Sequence, residues 1–80
     1  MNAGETITLN LPAGQVLTIT AASGVTGSAI RMSRIPGGED QSVTAINGAN
    51  LTFGPYADTE RFKIVDDVGS VTYSMAVADP

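Results

Sequence analysis

Residues 6–21 hold two runs in which apolar and polar side chains alternate, separated by Pro12-Ala13-Gly14-Gln15, and this period of two constrains the fold more than anything else in the chain. Successive strand residues point to opposite faces, so Ile7, Leu9 and Leu11 share one face of the first run and Thr6, Thr8 and Asn10 the other. Leu17, Ile19 and Ala21 line up in the second run, against Thr18 and Thr20. Pro and Gly suit a turn between the runs, and the pair reads as a β-hairpin.

The same period recurs to the end of the chain. Ala22 to Gly27 is small, polar and interrupted by Gly, which reads as a loop before a third strand around Ala29 to Ile35, with Ile30 and Met32 inward. Pro36-Gly37-Gly38-Glu39-Asp40 ends that strand, because Pro lacks the ladder donor and paired Gly is entropically costly. Ser42 to Ile46 is a short strand, Asn47-Gly48 a strong two-residue hairpin signal, and Leu51-Thr52-Phe53 the return, ended by Gly54-Pro55. Arg61 to Val65 alternates Phe62 and Ile64 with Arg61 and Lys63. Asp66 to Ser70 reads as a turn, and Val71, Tyr73, Met75 and Val77 share a face of the last strand. The two Thr-rich hairpins echo each other weakly, by coincidence, since any Thr-rich hairpins look alike, or by duplication; two such hairpins can pack face to face. No window has the apolar spacing of a helix, although Ala57 to Arg61 has room for one turn. About seven short strands, spaced roughly ten residues apart, predict a single all-β domain over 1–80, a small antiparallel β-sandwich or barrel.

A domain of 80 residues has a thin core and usually needs a staple. Cys and His are absent, which removes disulfides and ordinary zinc sites, and two Phe, two Tyr and no Trp supply little aromatic bulk. Oligomerisation is the staple left. Strand surfaces rich in Thr and Ser lack the Lys that discourages edge pairing, so an edge is expected to be covered by another copy or another protein. A net charge of −4 disfavours a phosphate backbone, hence no nucleic-acid partner. The amino-terminal MNAGETITLN has no basic segment before an apolar one, and the apolar runs are short; neither a signal peptide nor a membrane partner is expected, and synthesis in the cytosol is.

Without His or Cys, nucleophilic triads are excluded, and the chain is expected not to be an enzyme. Glu39 with Asp40, Asp58 with Glu60, and Asp66 with Asp67 read as solvated turns rather than a calcium loop or a glycosidase pair. The Gly-rich segment Ile35 to Gly38 precedes acidic residues and no helix, so it is no phosphate cradle. No cofactor and no metal are expected. Four residues remain as interaction candidates. With Ile30 and Met32 inward, Arg31 faces solvent and Arg34 points with the core, needing a carboxylate from Asp66 or Asp58; the two arginines serve an ion pair or an interface. Of Phe53 and Tyr56, one ring fills the core, and the other either does the same or lies exposed to anchor a partner or stack on a sugar.

Leu11-Pro12-Ala13-Gly14-Gln15 with Leu17-Thr18-Ile19-Thr20-Ala21, Gly54-Pro55-Tyr56 followed by Arg61-Phe62-Lys63-Ile64, and the closing Val71-Thr72-Tyr73-Ser74-Met75 together resemble small all-β virion proteins of tailed bacteriophages. The resemblance covers most of the chain. It implies a virion structural protein assembled in the host cytoplasm, foremost a capsid decoration or cement protein. Its partners would be itself, as a homo-oligomer of which a trimer is one form, and a major capsid or other virion protein. The alternative it leaves open is a tail or head-fibre module that binds a carbohydrate or receptor.

Overall fold

A computed structural model describes residues 1–78 and contains seven strands in two antiparallel sheets, the all-β sandwich that the alternation predicts. They are β1 (Thr6–Leu11), β2 (Gln15–Ala21), β3 (Thr26–Arg31), β4 (Ser42–Asn47), β5 (Leu51–Phe53), β6 (Glu60–Val68) and β7 (Val71–Val77). One sheet has the order β1-β6-β3-β4, the other β5-β2-β7. Leu11, Leu17, Ile19, Ile46, Phe62, Ile64 and Val71 are almost fully buried between them, and the body measures 34 × 33 × 16 Å. Ala57 to Thr59 is an irregular link without a helical turn.

The expected hairpins do not form. β1 pairs with β6 while β2 pairs with β5 and β7, so Pro12-Ala13-Gly14 arches from one sheet to the other. β4 pairs with β3 and β5 with β2, so Asn47-Gly48 also crosses between sheets. A hairpin turn of the favoured kind needs φ > 0 at both central residues; Gly48 has it at 67°, Asn47 does not. Alternation sends the apolar sides of two runs toward a common core whether they lie side by side or face each other, and here they face each other. Only β3 and β4 are consecutive in sequence and adjacent in a sheet.

β3 also runs earlier and the other way up than expected. Gly27, Ala29 and Arg31 point inward, and Ile30 and Met32 lie half-buried on the outer face, where Ile30 is flanked by Val43 and Lys63. Small residues at 27 and 29 let β3 lie close to β6, the longest strand; a Cβ on Gly27 would run into the Val65 carbonyl. Beside it a bulge pairs Thr26 with Val68 and Gly27 with Asp66, leaving Asp67 unpaired. Asp66 to Val68 is therefore strand rather than turn, and only Gly69-Ser70 links β6 to β7.

Candidate functional site

Along the inner face of β6 the order is Glu60, Phe62, Ile64, Asp66, four side chains removed from solvent. Two of the four are carboxylates, and each organises one end of the sandwich.

At the Glu60 end, Oε1 accepts from Arg31 Nε (2.9 Å) and Nη2, from Arg34 Nη2 (2.9 Å) and, more distantly, from Gln41 Nε2 (3.4 Å). Oε2 accepts from Arg34 Nε at 2.7 Å. Hydrogen bonds from Arg34 hold the Glu60 carboxyl down at about 2; burial opposes this, and Arg31 adds to it. The Arg31 guanidinium also lies 4.1 Å from the Tyr56 ring centroid. Tyr56 and Phe53 pack on Phe62 with centroids 6.2 and 5.1 Å away. The four sequence candidates thus meet in one cluster around Glu60 and Phe62.

The placement of the arginines differs from expectation. Arg31, expected in solvent, turns inward because Glu60 requires a buried cation, while Arg34 lies beyond the strand with half its side chain exposed. Its partners are Glu60 and Asp58, the latter at 3.4 Å, and not Asp66. Two positive and two negative groups cancel here, so no net charge is left for a charged ligand. One face of Tyr56, the ring on which sugar stacking would rest, is occupied by Arg31.

At the other end, Asp66 Oδ2 accepts from the Val71 amide at 3.0 Å, and Oδ1 is buried without a partner among the described residues. The Met1 nitrogen donates to the Val71 carbonyl at 2.9 Å, and Ser70 Oγ to the Met1 carbonyl at 3.0 Å. The start of β7 is thereby closed on its open side. The rest of β7 is not. Cross-strand rows on the inner face of the smaller sheet run Leu51-Ile19-Tyr73 and Phe53-Leu17-Met75. Their centres are fully buried and their β5 ends half-buried, yet Tyr73 is 43% exposed, Met75 38% and Val77 75%. Beyond Val71, β7 therefore presents core-side apolar residues to water.

Alternation alone places Val71, Tyr73, Met75 and Val77 on the core-facing side without showing that only Val71 is covered. Glu60 and Asp66 had a readable signal: they stand two residues either side of Phe62 and Ile64, in the core-facing phase. Among the described residues there is no cleft, and no group of three acidic, Cys or His side chains suited to a metal ion. Comparison with family models, curated proteins and solved structures found no match.

Proposed function

We propose that this domain is a structural assembly protein that acts by association, contributing a sheet edge and an apolar rim to a larger particle. The observation that carries this reading is β7, a seven-residue edge strand free of charge and Pro, whose Tyr73, Met75 and Val77 stand uncovered. Natural edges are usually guarded by Lys, Pro, a bulge or a covering segment, and an unguarded one is a template for another strand. The setting we propose is the exterior of a tailed-phage virion, as a capsid decoration or cement protein touching its own copies and a major capsid protein. The resemblance of the strand and turn segments supports that setting. In a symmetric shell, modest contacts repeated over many copies add up to a stable assembly.

Sedimentation velocity over a wide concentration range tests the reading. The average mass is expected to rise with concentration for the native chain and to stay at one copy for Met75→Lys, whose charge sits in the middle of the rim. A native chain that remains solitary at the highest concentration overturns it.

A further inference from the structure

The hydrogen-bond directions along β7 carry the association reading further. The Ala78 amide donates to the Gly14 carbonyl at 3.1 Å, so Ala78 directs its backbone toward β2. In an antiparallel ladder this orientation alternates. Thr72, Ser74 and Ala76 therefore also bond to β2, and Val71, Tyr73, Met75 and Val77 direct N–H and C=O to the open side. Val71 agrees with this assignment, since its amide meets Asp66 and its carbonyl meets the Met1 nitrogen. Among the described residues, no partner takes up the outward groups of Tyr73, Met75 and Val77.

From this pattern we infer that β7 pairs antiparallel with β7 of a second copy about a two-fold axis at Met75; the inference rests on the association reading and specifies its occupant. In this register Tyr73 faces Val77 of the second copy, Met75 faces Met75, and Val77 faces Tyr73. Each pair exchanges two hydrogen bonds, about six in all, which uses every free outward group on both strands. The neighbouring register, centred on Ser74, would set Val71 against Val77 of the second copy, and Val71 has no free donor or acceptor. Asp66 and the Met1 nitrogen thus select the register by closing one end of the edge.

Side chains agree with the backbone. The paired residues are those whose side chains are apolar, core-facing and exposed, so pairing sets Tyr73 on Val77 and Met75 on Met75 in one continuous rim. β7 carries no charge, so two copies of an acidic chain can meet there without opposing like charges. The contact is confined to one edge strand and its three uncovered side chains, which is small beside the total of about 1,000 Å² that a stable specific interface clears. The contact is accordingly concentration-dependent. It would produce a six-stranded sheet in the order β5-β2-β7-β7-β2-β5 across the two copies.

Single cysteines test the register in a chain that has none of its own. Hydrogen-bonded antiparallel partners have Cα atoms about 5.5 Å apart, within disulfide range, whereas diagonal positions lie roughly 7–8 Å apart and do not bridge. Met75→Cys is expected to form a covalent dimer under mild oxidation, and Ser74→Cys to stay uncrosslinked. A mixture of Tyr73→Cys and Val77→Cys is expected to give the mixed dimer over either self-dimer, which checks the same register without altering Met75. Cross-linking of Ser74→Cys alone overturns the register while leaving association intact. Failure of all four variants to cross-link, with a native mass that still rises with concentration, overturns β7 as the contact. A native chain that stays solitary overturns both this inference and the proposed function.

Discussion

Glu60 and Asp66 lie on one face of one strand, six residues apart and equally removed from water, yet their surroundings differ. Glu60 is surrounded by donors from Arg31, Arg34 and Gln41, which bring the end of β3 and the following loop onto β6. Asp66 meets a single backbone amide and keeps one oxygen unpartnered. A buried carboxylate with balanced countercharge fastens elements together. One served only by a main-chain N–H closes an edge, and costs more to bury for the bonds it makes.

Removing the countercharge relation at Glu60 has the largest expected effect. Glu60→Gln preserves shape but leaves Arg31, three-quarters removed from solvent, facing a neutral amide. Breaking a buried pair costs about 3–5 kcal/mol, and the half-exposed Arg34 places this case at the low end, about 3 kcal/mol by urea denaturation. The same carboxylate gives a pH signature. Its ordinary value is 4.5 and the folded one about 2, so as the medium is acidified the unfolded chain takes up the proton first. The stabilisation is complete above 4.5, and is lost as pH falls toward 2. Urea midpoints measured across that interval should fall steeply for the native chain and less for Glu60→Gln. Equal slopes would remove Glu60 as their source.

At Asp66 the expected loss is smaller. Asp66→Ala strands the Val71 amide, an unsatisfied donor worth about 1–3 kcal/mol, whereas Asp66→Asn keeps an acceptor there and should lie within about 1 kcal/mol of the native chain. If Asp66→Asn cost as much as Glu60→Gln, the contrast between the two carboxylates would collapse.

What the sequence reveals of this contrast is limited to what a period of two reports. It gives the side of the sheet a residue occupies, and so β1, β2, β4, β5 and β7 are legible within about one residue. It is silent on which strand lies alongside, because Leu9 and Leu11 face Leu17 and Ile19 across an arch with the same alternation a hairpin would show. β3 inverts because Gly27 and Ala29, too small to signal a core face, take the positions next to β6, while the larger Ile30 and Met32 mislead. Glu60 and Asp66 were within reach by extending the phase of Phe62 and Ile64, but charged residues beside turn formers read as solvated loop. The uncovered rim of β7 is set by what packs over the strand, and the same alternation runs through buried Val71 and exposed Tyr73, Met75 and Val77.

The weakest link in the Glu60 cluster separates what burial contributes from what charge alone contributes. Asp58 Oδ2 lies 3.4 Å from Arg34 Nη1, and their side chains are 73% and 51% exposed. Water screens such a pair, and holding two flexible side chains together offsets part of the attraction, so Asp58→Ala should cost between about 0 and 1 kcal/mol. Its effect should shrink further in salt, because exposed charges are screened, while that of Glu60→Gln should persist. Denaturation of both variants at low and high ionic strength makes the comparison. A salt-insensitive loss at Asp58 as large as that at Glu60 would mean that the cluster derives its strength from Arg34 being held between two acids, and not from the withdrawal of Glu60 from water.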